Sequence, residues 1–117
     1  MKSALNNKSP SHFYRGYFIN NELAGLINAS KESSSVTIYQ LYVLPKHQRK
    51  GIGTELINEL VRYYGLPISI MLKVEEKDTK GVAFYKKYGF SFPRRAEVII
   101  DDFVIPCLEA VLELGKN

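Results

Sequence analysis

The most constraining feature of this chain is one amphipathic helical stretch set between two apolar strands. Apolar residues recur at Ile52, Leu56, Ile57, Leu60, Val61 and Tyr64, the spacing of a helix with one buried face. Gly65 and then Pro67 form a normal stop. Upstream, Val36-Thr37-Ile38-Tyr39-Gln40-Leu41-Tyr42-Val43 is almost wholly apolar or aromatic and reads as a central strand, ended by Leu44-Pro45. Downstream, Ile68 to Val74 reads as a second buried strand. Such a unit is a crossover, and it commits the chain to a sheet with helices packed on it.

The remaining segments extend that sheet. Phe13 to Ile19 and Leu23 to Ile27 read as a hairpin around Asn20-Asn21, because Asn tolerates positive φ in a tight primed turn. Tyr14, Tyr17 and Phe18 read as core residues of that hairpin. Lys31 to Ser35 reads as a polar loop. Asp78 and Thr79 are both good N-caps for a short helix carrying Val82, Ala83, Phe84 and Tyr88, with Gly89 as its stop. From Leu108 to Leu114 apolar residues alternate with polar ones, which favours a strand, although Pro106 also suits a helix start. The strand reading pairs this segment with Glu97 to Ile100 across Asp101-Asp102. The expected order is β-β-β-α-β-α-β-β, an α+β mixed sheet. Residues 1–11 read as a flexible tail and 12–117 as one domain.

Composition narrows the functional classes. A length of 117 residues, 45% hydrophobic and 24% charged, fits one globular domain and excludes disorder as the main state. A single cysteine, Cys107, excludes an intrachain disulfide or a cysteine-cluster zinc site. His12 and His47 have no ligand partner at motif spacing, so no metal is expected. No apolar run is long enough to span a bilayer, and the N-terminus has no apolar signal region, so the cytoplasm is the expected location. The net charge of +4 suits an anionic partner. Nucleic acid ranks last among such partners, since the aromatic residues read as core rather than as an exposed stacking platform.

The chemistry is concentrated in Gln48-Arg49-Lys50-Gly51-Ile52-Gly53-Thr54. Glycines let the backbone turn sharply and approach a ligand. The unpaired N–H groups of a helix start, with the helix dipole, suit a phosphate or pyrophosphate. Two common phosphate loops do not fit. A P-loop needs Lys and then Ser/Thr after the last Gly, where Thr54 and Glu55 stand, and the dinucleotide fingerprint needs a third Gly at Leu56. On this loop alone, an anion site and a plain Gly-rich connection both remain open.

Leu41-Tyr42-Val43-Leu44-Pro45 followed by Gln48 to Gly53 resembles the acetyl-CoA motif of the GNAT N-acetyltransferase superfamily. Asp78-Thr79-Lys80-Gly81-Val82-Ala83-Phe84-Tyr85-Lys86-Lys87-Tyr88-Gly89-Phe90 is similar to a second helix of that family. The resemblance covers Phe13 to the C-terminus. It implies a GNAT-like fold, with a mostly antiparallel mixed sheet and acetyl-CoA as cofactor. It places the pantetheine arm against Leu41, Tyr42 and Val43, and the pyrophosphate on the backbone of Gln48, Arg49, Lys50, Gly51, Ile52, Gly53 and Thr54. It sets Arg49 or Lys50 near the 3′-phosphate. Asp78 stands where the family usually has Asn beside the cofactor arm, and loses that amide's donor. Tyr85 matches the tyrosine that faces the CoA sulfur and is the catalytic candidate, because a phenol can donate to a leaving thiolate. Outside the motif, Tyr85 would read as packing.

The resemblance implies no general base. Family carboxylate positions are occupied by Thr37 and Lys73. Glu75 and Glu76 read as a solvated strand end, His47 as an exposed loop histidine, and a water relay through Tyr39 or Gln40 is an alternative. The usual N-terminal strand and two helices have no counterpart before Phe13. That implies an open acceptor cleft, a wall from another subunit, or a shortened chain. Uncovered edges of the C-terminal strands make a homodimer a further expectation. Two functions follow: direct transfer of acetyl from acetyl-CoA to a primary amine of a small molecule or protein, or a catalytically impaired CoA-binding module in regulation or assembly.

Overall fold

The computed structural model describes residues 11–115. Its elements are β1 (His12–Ile19), β2 (Glu22–Glu32), β3 (Ser35–Val43), α1 (Ile52–Tyr64), β4 (Ile68–Glu75), α2 (Thr79–Tyr88), β5 (Ser91–Ile100) and β6 (Phe103–Leu114). The six strands form one sheet in the order β1-β2-β3-β4-β6-β5. Only the β3–β4 contact is parallel, and α1 is its crossover. The expected α+β mixed sheet and its element order are both present. The expected tail lies outside the described residues except for Ser11, whose carbonyl accepts from Lys31 N at 2.8 Å and from Tyr64 Oη at 2.5 Å.

Local chemistry accounts for the turns. Asn20 and Asn21 have φ of 50° and 64°, the left-handed pair of a primed hairpin turn. The polar segment read as a loop from Lys31 to Ser35 shrinks to Ser33-Ser34, since β2 runs to Glu32 and β3 begins at Ser35. Cross-strand pairing there outweighs the low strand preference of Lys and Ser. Phe13 is fully buried, whereas Phe18 is 42% exposed, so Phe18 is not the hairpin core residue its type suggested. Alternation along β1 explains this, because Phe18 lies five residues from Phe13 and so faces the other side of the sheet; a bulge lies beside it in the partner strand β2. Tyr17 pairs with Gly25 but Phe18 pairs with Leu23, which leaves Ala24 as the extra residue in β2.

The core lies between the sheet and α1. Leu56, Ile57 and Leu60 are fully buried, as are Val36, Ile68 and Ile70 from the strands beneath. The C-terminal segment is a strand, as its alternation indicated. It lies inside the sheet, paired on one side with β4 and on the other with β5. The C-terminal edge of the sheet is therefore β5 alone. No helix among the described residues is long and apolar enough to cross a membrane.

Candidate active site

The site begins where β3 and β4 part. They pair only from Ser35 to Thr37 against Ser69 to Met71. Beyond that point, Ile38 to Val43 and Leu72 to Glu75 face each other with no ladder between them. Two strands that share only three pairs leave backbone donors and acceptors that need another partner. A cleft of about 1310 Å³ opens there, bounded by β3, β4, α2 and the loop into α1.

A bulge in β3 shapes the cleft. Ala29 pairs with Ile38 but Asn28 pairs with Gln40, so Tyr39 is the extra residue. Before the bulge the even residues Val36 and Ile38 are buried. After it, Leu41 and Val43 are the partly buried pair, while Tyr39 and Tyr42 are 63% and 51% exposed. One inserted residue exchanges the faces of the strand. The strand is central, as expected, but its C-terminal half is not covered on both faces.

The loop after β3 closes one end of the cleft. Gln48 donates from Nε2 to the Val43 carbonyl at 3.0 Å. Arg49 and Gly51 both have left-handed φ, 68° and 81°. At Gly51 this conformation belongs to the N-cap of α1, with no capping side chain, so the first helical N–H groups keep their free donors. A Cβ on Gly53 would lie 3.0 Å from the Phe84 ring, so glycine there allows α2 to approach the start of α1. Gly25 plays the same part beneath the loop, where a Cβ would lie 2.8 Å from the Tyr42 carbonyl oxygen. Tyr88 Oη donates to Asn58 Oδ1 at 2.6 Å and ties the two helices.

Tyr85 lines the cleft from α2. Its ring is packed edge-on between Phe84 and Phe90, with centroids 5.2 and 5.4 Å away. Burial first, and the Asp78 carboxylate second, push its phenol up to about 12. It therefore keeps its proton throughout the neutral range. Asp78 caps α2 by accepting from Gly81 N at 2.9 Å.

Of the residues singled out from sequence, Leu41, Tyr42, Val43, Gln48, Arg49, Gly51, Ile52, Gly53, Thr54, Asp78 and Tyr85 line this one cleft. Lys50 is not among its lining residues, and its ammonium lies 3.2 Å from His47 Nδ1. His47 is 8% exposed, which corrects the reading of an exposed loop histidine. Its Nε2 lies 3.1 Å from Glu22 Oε1, a partner in the first hairpin that no local motif could reveal. Sequence reading also missed Lys80 and Lys87, which line the cleft from one face of α2. Their spacing of seven, flanking Phe84, was the available signal. With Arg49 and Lys73 they set four cations against the carboxylates of Glu75 and Asp78, so the cleft suits an anionic ligand.

The candidate bases also separate. Glu76 is paired with Arg95 at 3.0 Å. Gln40 accepts from Asn28 Nδ2 at 3.2 Å. Thr37 pairs with Met71 at the last rung before the strands part. Glu75 lines the cleft and also a neighbouring groove of about 420 Å³ beside Phe103 and Val104 at the β5–β6 turn. Cys107 is buried and lines neither, and burial pushes its thiol up.

The profile of the acetyltransferase (GNAT) family matches residues 2–90. The chain belongs to the GNAT family. An uncharacterised N-acetyltransferase of Bacillus licheniformis is 31% identical to this GNAT chain over 97 residues, covering 74% of it and 57% of the relative. Arabidopsis thaliana NAA60, crystallised with a bisubstrate analogue, superposes with a TM-score of 0.71 at 26% identity, over 82% of this chain and 67% of that one. The ribosomal-protein-S18-alanine N-acetyltransferase of Escherichia coli shares the fold, with a TM-score of 0.78 at 17% identity over 94% of this chain and 74% of the other. The chain spans 24% and 57% of the first two curated relatives it matches.

Proposed function

We propose that this GNAT protein transfers an acetyl group from acetyl-CoA to a primary amine by direct attack, with both substrates bound together. The observation that carries the reading is the parting of β3 and β4 directly beside the glycine loop and Tyr85. A strand-like pantetheine arm fits a gap that offers unpaired backbone on β3. A pyrophosphate fits the free N–H groups ahead of α1. Arg49, Lys80 and Lys87 supply cations for the nucleotide phosphates. That NAA60 was crystallised with a bisubstrate analogue supports transfer without a covalent acetyl-enzyme. So does the burial of Cys107 away from the cleft.

Acetyl-CoA supplies the activated acyl group as a thioester. The chain supplies position and protons. Tyr85 holds its proton toward the cleft, ready for the sulfur as the carbon–sulfur bond breaks. An amine of lysine-like basicity is mostly protonated near neutrality and must lose a proton before attack. Among the described residues, the Glu75 carboxylate makes no hydrogen bond or ion pair, whereas Asp78 is committed to its cap. Glu75 therefore attracts the ammonium and receives its proton, directly or through water, at the end of the cleft that meets the Phe103 groove.

Thermal unfolding with acetyl-CoA, ATP or NAD at equal concentration tests the cofactor. Acetyl-CoA at 100 times its Kd is expected to add about 2.7 kcal/mol, with ATP and NAD giving much less. Equal shifts for all three, or none, would refute the reading. Arg49→Ala is expected to weaken acetyl-CoA binding about tenfold in calorimetric titration, the scale of one hydrogen bond to a charged group. Unchanged affinity would remove Arg49 from the site.

A further inference from the structure

We infer that His47 is a positioning residue for the anion-binding loop, and that it works only in its neutral form. The inference rests on the reading of Gln48 to Thr54 as the pyrophosphate loop. His47 is the buried polar side chain next to that loop, and both of its ring nitrogens have partners. Nε2 faces Glu22 Oε1 at 3.1 Å, and Nδ1 faces Lys50 Nζ at 3.2 Å. The chemistry of the partners sets the tautomer. An ammonium can only donate, so Nδ1 accepts; a carboxylate can only accept, so Nε2 carries the hydrogen. Glu22 is held ionised by Lys46, with its carboxyl lowered first by the Lys46 hydrogen bond and then by His47. Lys46 lies 2.9 Å from Glu22 Oε1. The charged groups bonded to this ring or to its carboxylate are thus Glu22 from β2, Lys46 from the turn before the loop, and Lys50 from the loop itself.

The relay acts on Arg49. Its left-handed φ of 68° is a conformation that side chains other than Gly and Asn rarely adopt. It is held from both sides. Gln48 is fastened to the Val43 carbonyl and Lys50 to His47. Arg49 therefore lines the cleft while Lys50 does not. Protonation of His47 puts a donor on Nδ1, facing the donors of Lys50 and adding like charge. The Lys50 contact breaks, and one of the two fastenings of Arg49 is lost.

The sign of the effect is diagnostic. Added positive charge beside a phosphate site ordinarily tightens anion binding. The relay requires that binding weaken as the pH falls from 8 to 5.5. The probe is 3′-dephospho-CoA, whose pyrophosphate does not titrate between pH 5.5 and 8. Calorimetry is expected to give a Kd about fivefold weaker at pH 5.5 than at pH 8 for the unaltered protein, the scale of one hydrogen bond. His47→Asn, which offers Lys50 an amide oxygen that cannot titrate, is expected to bind with no such pH dependence. Lys50→Met, a surface change, removes the other partner and is expected to flatten the profile as well. His12→Asn is the control and keeps the slope. Tighter or equal binding at low pH in the unaltered protein overturns the relay. So does a slope that survives in both His47→Asn and Lys50→Met. Absence of binding at either pH overturns the loop reading and the relay with it.

Discussion

With Tyr85 replaced by Phe, acetyl transfer is expected to slow by about 10²-fold, the usual scale of a positioned acid. Acetyl-CoA affinity is expected to stay within about twofold. The ring keeps its edge-on packing against Phe84 and Phe90, so binding geometry survives and only the proton is lost. Steady-state kinetics beside a direct binding measurement separate the two. Equal losses in kcat and affinity would make Tyr85 a packing residue. The pH profile gives an independent check. Because the phenol is pushed up to about 12, no fall in rate from its ionisation is expected below about pH 11. The same shift links to stability. The native state holds this proton more tightly than the unfolded chain, so Tyr85 leaves stability unchanged below about pH 10. Stability then declines as the pH rises from there through about 12.

Leu56→Ala is the second large effect. Leu56 is fully buried between α1 and the sheet, beside Ile57 and Leu60, which are also fully buried. Truncation removes transfer energy and leaves a cavity, at a cost of about 3 kcal/mol. For a domain of this size that lowers Tm by on the order of 10 °C. Urea unfolding measures it, with Ile99→Ala as the comparison. Ile99 is 69% exposed, and its truncation is expected to change stability by less than about 0.5 kcal/mol. A loss below about 1 kcal/mol for Leu56→Ala would mean that α1 is not packed as described.

Much of the site was legible because its chemistry is local. The turn at Asn20-Asn21, the Asp78 cap and the glycine loop depend on residues a few positions apart. The two motifs that resemble the GNAT family are likewise contiguous, and the cleft brings them together. The misreading of His47 involves a distant partner. His47 reads as exposed until Glu22, 25 residues earlier, is brought against it. Phe18 is a local case: it lies five residues from buried Phe13, so strand alternation puts it on the opposite face despite its aromatic type. Arg49 and Lys50 cannot be told apart as neighbours in a basic run. A hydrogen bond to His47 turns one of them back.

By itself, the sequence determined the order of elements, the buried face of α1, the caps and the backbone freedom at Gly51. These follow from period, branching and side-chain length, which act over one or two turns of chain. The tertiary structure alone decided where β3 leaves β4, which strand forms the sheet edge, and which cations face the cleft. Those outcomes depend on register. Register depends on single inserted residues such as Tyr39, whose effect is felt only when a second strand lies alongside.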